Sequence, residues 1–156
     1  MSTALLKMCV TLNTTTALED VTDIERQHRA IKERDRACRH YLPFNMIPKL
    51  MIIEMIYKCV LWINAFPPKG GVSESISLRT LLTGLKFDYN FHCKIEFGAY
   101  AQVNEENLPK NSQQARTLDV ICLGPSGNLQ GGFKFMNLQT GKKLTRRRWT
   151  ALPMPL

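Results

Sequence analysis

Between Val21 and His40 the chain carries charged residues at the spacing of an α-helix, and this stretch limits the fold more than any other. Five of its charged residues recur at steps of three and four, which places their side chains on one side of a helix. They are Glu25, Arg29, Lys32, Arg36 and Arg39. The pattern predicts a helix with one carboxylate at the head of a row of cations.

Glu25 has two interpretations, which do not exclude each other. Thr22 followed by Glu25 three residues later is a capping box, in which the two side chains bond to backbone N–H groups at a helix start. Glu25 would alternatively be a metal-binding carboxylate whose cationic neighbours hold a phosphate backbone. The local sequence leaves both interpretations open.

The charge of the whole chain points to a polyanionic partner. The 156 residues include 21 Lys and Arg but only 13 Asp and Glu, which gives a net charge of +8. Such an excess favours nucleic acid, although charge alone does not choose among DNA, RNA and an acidic membrane surface.

The cysteines indicate a reducing compartment. The five cysteines form no C-x-x-C pair, and their odd number argues against a closed disulfide framework. Neither His92–Cys93 nor the group of His28, Cys38 and His40 has the spacing of a known zinc site. We therefore expect a globular protein of the nucleus or cytoplasm, without bound zinc.

The segment Pro48–Ala65 predicts a second helix that is apolar in almost every direction. Its most apolar part, Leu50–Ile63, is shorter than the ~20 residues of a membrane span, so we expect no membrane partner. Glu54 and Lys58 form its one polar strip and are predicted to pair with each other. Because so short a chain offers little cover, Leu50–Ile63 is predicted to dock on the rest of a larger domain or on another subunit.

The remaining segments of the first half are short. No signal peptide is expected, and Leu5–Asn13 is predicted to be a buried strand that leads into a polar loop, Thr14–Asp20. Phe66–Ser75 is rich in Pro, Gly and Ser and is the best candidate for a domain boundary. Ser77–Thr83, closed by Gly84, predicts one or two helical turns.

From Phe97 onward, short alternating segments are separated by turn residues. The predicted strands are Phe97–Val103, Ala115–Leu123, Gly132–Asn137 and Lys142–Trp149. Four or five short strands predict a small β-barrel or a half-open sheet, since closure removes exposed edges. The fold class is therefore α+β.

The end of the chain is strongly basic, because no Asp or Glu follows Asp119. The residues predicted to contact DNA here are Lys134, Lys142, Lys143, Arg146 and Arg148. Alternation along the last strand would place Arg146 and Arg148 on one side and Arg147 on the other. Two alternatives to DNA contact are open for the basic residues of this strand: they form a solvated strand edge that discourages aggregation, or they form a localisation signal. Phe133, Phe135 and Trp149 would either pack in the core or stack on bases.

Four segments, taken in order, carry a family resemblance. They are DIERQHRAIKERDRACRHYLPF, MIIEMIYKCVLWINAFPPKGGVSESISLRTLLTGLKFDY, FGAYAQV and CLGPSGNLQGGFKFMNLQTGKKLTRRRWTALPMP. Together they resemble the Pol polyprotein of copia-type long-terminal-repeat retrotransposons, from the end of the integrase catalytic core to the segment before the reverse transcriptase. The resemblance covers nearly the whole chain from about Val10.

The resemblance implies a role for the first helix. Glu25 matches the third acidic residue of the integrase Asp-Asp-Glu triad, and Arg29, Lys32 and Arg36 would contact the DNA backbone. In the intact family enzyme the triad holds two Mg²⁺ or Mn²⁺ ions, which activate water or a DNA 3′-hydroxyl. The family's two aspartates are expected upstream of the matched part. We therefore expect this polypeptide alone to bind no metal and to have no strand-transfer activity.

The resemblance also implies a division into three parts. Residues 1–66 would be the C-terminal remnant of an RNase H-like integrase core, 67–94 a linker with a short helix, and 95–156 a Src-homology-3-like β-barrel. The predicted function is a truncated or partial integrase that binds DNA. Two alternatives stay open: a catalytically silent nucleic-acid-binding module, and a protein-interaction module that docks through its apolar helix.

Overall fold

The fold was obtained as a computed structural model, which describes residues 22–105, 113, 115–128 and 130–155. The helices in these residues are α1 (Thr22–Tyr41), α2 (Lys49–Ala65), α3 (Leu78–Thr83) and α4 (Tyr89–His92). The strands are β1 (Tyr100–Asn104), β2 (Thr117–Pro125), β3 (Phe133–Asn137), β4 (Lys143–Arg146) and β5 (Thr150–Ala151). The predicted α+β class is confirmed. The predicted strand Leu5–Asn13, the loop Thr14–Asp20 and the side chain of Thr22 lie outside the described residues.

Prolines and small polar residues set the helix ends, as the sequence predicts. Pro48 occupies the N-cap of α2 with an extended backbone, and its missing N–H costs nothing there. The Ser77 hydroxyl accepts a hydrogen bond from the Thr80 N–H at the start of α3. Gly84 ends that helix in the left-handed conformation, with φ +70°. The predicted bounds of α1, α2 and α3 are therefore confirmed to within a residue.

The five strands form one antiparallel sheet in the order β4-β3-β2-β1-β5. β4 and β5 lie at opposite edges, yet only Arg147, Arg148 and Trp149 separate them along the chain. A flat sheet would hold these edges about 19 Å apart, from four spacings of ~4.8 Å, whereas four chain steps span at most about 14 Å. The sheet must therefore coil. Consistent with this, the Arg146 Nε on β4 donates to the Asn104 carbonyl on β1 at 3.3 Å.

The prediction of a β-barrel is wrong, because the coiled sheet is not closed by hydrogen bonds between its edges. The predicted last strand, Lys142–Trp149, breaks after Arg146, and the chain resumes pairing only at Thr150 and Ala151. β5 has two residues, which pair with Ala101 and Gln102 of β1. Such a short strand supports one edge but does not join β4. The half-open sheet, the alternative from the sequence, describes the structure.

Two apolar clusters lie on opposite faces of the sheet, as alternation along β2 requires. Ile121 and Leu123 face the helices, where they pack with Leu42, Met51, Met55, Phe97 and Met136. Val120 and Cys122 face the concave side, where they pack with Ile95, Ala101, Val103, Phe133 and Phe135. Leu42, just after α1, approaches Gly98 so closely that a Cβ there would lie 2.3 Å from the Leu42 Cδ2.

The aromatic residues of the last strands belong to the core. Phe133 and Phe135 are fully buried, and their ring centroids lie 4.7 and 5.9 Å from that of Trp149. Of the two interpretations from the sequence, core packing is thus the one that the structure supports. Helices and sheet share one of the two apolar clusters. The division into residues 1–66, 67–94 and 95–156 stays a prediction.

Candidate nucleic-acid interface

The charged row predicted on α1 lies on the surface. Glu25, Arg29, Lys32, Arg36 and Arg39 are all exposed. Ile24 near the start of the helix is 53% exposed, whereas Leu42, just beyond its end, is buried, so α1 is anchored mainly through its C-terminal end. The first four charged residues, with His28 and Glu33, line a shallow surface groove of about 530 Å³. We name the set of Arg29, Lys32, Arg36 and Arg39 the α1 stripe.

A second carboxylate interrupts the α1 stripe. The Arg29 Nε donates to the Glu33 Oε1 at 3.0 Å, and these side chains are 81% and 59% exposed. An exposed pair of this kind contributes at most about 0.5 kcal/mol of stability, because water and salt screen it. A phosphate that binds Arg29 can therefore replace Glu33 as its partner with little loss of stability. The spacing of Arg29 and Glu33 by four residues is a signal that sequence analysis could have used.

Glu25 is exposed at the head of the groove. Within the part of the chain that the structure describes, no three side chains of His, Cys, Asp or Glu are gathered in a way that could hold a metal ion. A two-metal centre needs several carboxylates, and Glu25 by itself does not fit one. Its assignment as a metal ligand stays a prediction that depends on carboxylates outside the described residues.

Two of the basic residues predicted to contact DNA are bound to a buried carboxylate. Lys134 on β3 and Lys143 on β4 donate to the two oxygens of Glu54 on α2, at 3.0 and 2.9 Å. Glu54 is only 3% exposed. The predicted pairing of Glu54 with Lys58 is wrong, and the Lys58 Nζ instead lies 5.0 Å from the centroid of the Phe97 ring. A carboxylate on α2 therefore fastens the helix to two neighbouring strands.

The two lysines that bind Glu54 favour its ionised form. Burial favours the neutral acid and raises its pKa, but the hydrogen bonds and charges of Lys143 and Lys134 outweigh burial. The pKa of Glu54 consequently lies below its ordinary value, and the side chain is ionised at neutral pH.

The remaining basic residues near the end of the chain differ in their exposure to solvent. Arg146 is half-buried and also donates to the Thr145 carbonyl at 2.9 Å, so it supports the coil of the sheet. Lys142, Arg147 and Arg148 are exposed. Because β4 ends at Arg146, strand alternation does not determine where Arg148 points, contrary to prediction. Lys142 and Arg148 are thus the more accessible of the predicted contacts on this part of the chain.

The described cysteines are free thiols, and those with a large pKa shift are poor nucleophiles. Burial raises the pKa of Cys122 to about 12, and burial together with Cys38 raises the pKa of Cys59 to about 11. Cys38 and Cys59 line an apolar cavity of about 560 Å³ between α1 and α2. A thiol needs a lowered pKa to attack at neutral pH, so neither Cys59 nor Cys122 is suited to nucleophilic chemistry. Cys9 lies outside the described residues.

The chain has no match among protein-family models, curated proteins or solved structures. The predicted residues separate into two groups: the exposed α1 stripe, and a basic strand region partly bound to Glu54. The structure does not bring Glu25 next to Lys134 or Lys143, which pair with Glu54 instead.

One face of α2 is left without cover. Met51, Met55 and Cys59 are buried, whereas Ile52, Ile53, Ile56 and Tyr57 are 36–62% exposed. The predicted docking of Leu50–Ile63 on a partner remains a prediction for this face. No helix in the described ranges is both long and apolar enough to cross a membrane.

Proposed function

We propose that this chain is a DNA-binding fragment of a copia-type retrotransposon integrase, and that the α1 stripe provides most of its affinity. The single observation that supports this most strongly is the exposure of four cations along one side of a 20-residue helix. Arg29 and Arg39 are ten residues apart, which corresponds to ~15 Å of helix. A duplex carries about nine phosphate charges over that length, so the cations of the α1 stripe can contact several phosphates at the same time.

The affinity that this arrangement provides is electrostatic and tolerant of sequence. Lys and Arg side chains that neutralise phosphates release condensed counterions, and the binding constant falls steeply as salt is added. Lys142 and Arg148 supply further contacts in the proposal, whereas Lys134 and Lys143 stay with Glu54. Backbone contacts orient the protein on DNA but do not specify bases.

The integrase part of the proposal rests on the sequence resemblance. In it, Glu25 is the third carboxylate of the triad, α1 and α2 derive from an RNase H-like core, and the coiled sheet is an open form of the Src-homology-3-like region. Catalysis of strand transfer requires two further carboxylates to hold the metal ions. The polypeptide alone binds DNA without cutting or joining it.

Removal of the α1 stripe tests the proposal. The triple variant Arg29→Gln, Lys32→Gln, Arg36→Gln is expected to bind a 20-base-pair duplex roughly 10- to 100-fold more weakly at ~0.1 M salt, since it loses three phosphate contacts. A matched control, Lys69→Gln, Lys86→Gln, Lys94→Gln, removes the same charge from exposed positions away from α1. Fluorescence anisotropy measures both affinities. Equal losses in the two variants would show that net charge, not the stripe, binds the duplex.

A protein-interaction module is the second candidate, favoured by the uncovered apolar face of α2. If this function holds, the chain self-associates or binds a partner through Ile53 and Ile56, which are about 40% exposed. We expect Ile53→Lys to convert an associated species to a monomer in size-exclusion chromatography with light scattering, because a charge in an apolar contact is costly to bury. A wild-type chain that is monomeric at micromolar concentration contradicts self-association.

A further inference from the structure

A second group of cations surrounds a small cavity of about 240 Å³ that the α1 stripe does not touch. Lys58 on α2, Arg79 on α3 and Lys134 on β3 line it, together with His92 and the loop after β2. Its volume is far above the ~15 Å³ that admits one water molecule. Cations from three separate elements therefore meet around a space large enough for a small anion.

Arg79 is held in place by its neighbours. Its Nη2 lies 3.3 Å from the His92 Nε2, and its guanidinium carbon lies 5.7 Å from the centroid of the Phe87 ring. Arginine can only donate, so the His92 Nε2 accepts from Arg79. The ring hydrogen then lies on the Nδ1, which is closer to the Asp88 carbonyl oxygen, at 2.8 Å, than to the Asp88 backbone nitrogen, at 3.4 Å. The Phe87 ring also stacks on His92, with centroids 4.6 Å apart, which fixes the whole group.

One nitrogen of Arg79 lacks a partner. The Nη1 is shielded from solvent and has no hydrogen-bond acceptor among the residues that the structure describes. A shielded N–H of a charged group without an acceptor is costly, and such a group in a native fold calls for an explanation. Arg79 thus carries a donor that none of the described residues satisfies, and its side chain lines the cavity.

The carboxylate in the cavity wall does not cancel the positive charge. Glu54 already accepts from Lys134 with one oxygen and from Lys143 with the other. Lys58 forms no ion pair with any carboxylate of the described residues. Lys58 and Arg79 therefore have no carboxylate partner among the described residues, and Lys134 retains two donors beyond the one directed at Glu54.

The loop after β2 forms part of the cavity wall. Gly127 has φ +79° and presents no side chain there. The Asn128 Oδ1 accepts from the Ser126 hydroxyl at 2.8 Å and from the Gly132 N–H at 3.0 Å, which ties both ends of the loop together. These hydrogen bonds hold this part of the cavity wall in a defined conformation.

We propose that this cavity binds a phosphate group, with Arg79, Lys58 and Lys134 as its charged contacts. Arginine offers a planar fork of donors that matches the oxygens of phosphate, and lysines add point charges around it. The phosphate is either a free monoester or a diester of a nucleic acid strand. This inference does not depend on the α1 stripe, whose residues lie outside the cavity.

The test is a titration of the isotopically labelled full chain, followed by the backbone amide signals of Ser126 and Gly127. Inorganic phosphate is added at constant ionic strength, with sodium chloride as the reference salt. We expect saturable shifts with phosphate and none with chloride. A second arm uses thymidylyl-thymidine, which carries only a diester. Saturation by the diester assigns the site to a nucleic acid backbone, and saturation by phosphate alone assigns it to free monoesters.

Arg79→Gln is expected to weaken phosphate binding about 10-fold or more, since it removes one of the three positive charges around the cavity. Arg147→Gln is the matched control, because it removes the same charge from an exposed position that has no role in either proposed site and should leave binding unchanged. Lys58→Gln is the second variant if Arg79→Gln fails to fold. Unsaturable shifts in the wild type, or unchanged affinity in a folded variant at Arg79 or Lys58, would overturn the proposal. A wild-type chain that does not bind phosphate but keeps its stripe-dependent binding of DNA would contradict this inference and leave the proposed function intact.

Discussion

Substitution of Glu54 by glutamine is expected to lower the free energy of unfolding by about 2–3 kcal/mol. Removal of one partner from a fully buried ion pair costs ~3–5 kcal/mol, because the other charge is left without compensation. The cost here is smaller, since the side chains of Lys134 and Lys143 are 27% and 47% exposed and can turn toward water. Urea unfolding at pH 7 measures the change as a lower midpoint at unchanged slope.

The control for this variant is Glu74→Gln, which removes the same charge at an exposed position and should change stability by less than ~0.5 kcal/mol. The pH dependence adds a second check. Because the pKa of Glu54 is lowered in the folded chain, its stabilisation is complete above the ordinary value of ~4.3 and is lost as pH falls through the lower folded value. The difference between wild type and variant should thus be constant from pH 8 to about 5 and shrink below about 4. Equal stability of wild type and Glu54→Gln at pH 7 would refute the role of Glu54.

Substitution of Phe135 by alanine is expected to be the most damaging single change considered, with a loss of about 3–5 kcal/mol. Phe135 is fully buried on the concave face of the sheet, where its ring packs near Trp149. A cavity would remain there, because the strands on both sides of β3 hold the backbone in place. Thermal or urea unfolding measures the loss, and near-ultraviolet circular dichroism reports the changed surroundings of Trp149.

Phe66→Ala is the matched control for Phe135→Ala. Phe66 is 45% exposed and stacks only on neighbouring rings, so its removal should cost ~1 kcal/mol. The comparison also bears on function. If Phe135→Ala kept full stability but lost affinity for DNA, the ring would be a base-stacking platform, and its placement in the core would be wrong.

Local signals in the sequence were sufficient for the helices and most strands. The three-and-four spacing of charges located α1, and Pro48, Ser77 and Gly84 marked helix ends that the structure reproduces. The four residues of α4 are too few to show a helical period, so the sequence does not predict this helix. The sequence also does not predict the break after Arg146, because basic residues continue through it without a turn residue.

Features that depend on distant residues were not predictable. Lys58 lies one helical turn after Glu54, and side chains four residues apart on a helix are neighbours, so the sequence predicts an ion pair between them. The actual partners of Glu54 lie 80 and 89 residues further along the chain, and only the packing of α2 on β3 and β4 brings them near. Closure of the sheet into a barrel is also not predictable from local sequence, since it depends on whether the edge strands β4 and β5 form hydrogen bonds with each other. In the candidate interface, the exposure of the α1 stripe is predictable from its periodicity. The ion pairs of Lys134 and Lys143 with Glu54 are not predictable from the sequence.

The central claim is that cations on the surface of α1 bind the DNA backbone. Its most direct test is the salt dependence of duplex binding, measured for the wild type and for the triple variant Arg29→Gln, Lys32→Gln, Arg36→Gln. Each phosphate contact contributes about 0.9 to the slope of log binding constant against log salt concentration, so the variant's slope should be shallower by roughly 2.7. Identical slopes for the two proteins would contradict the claim.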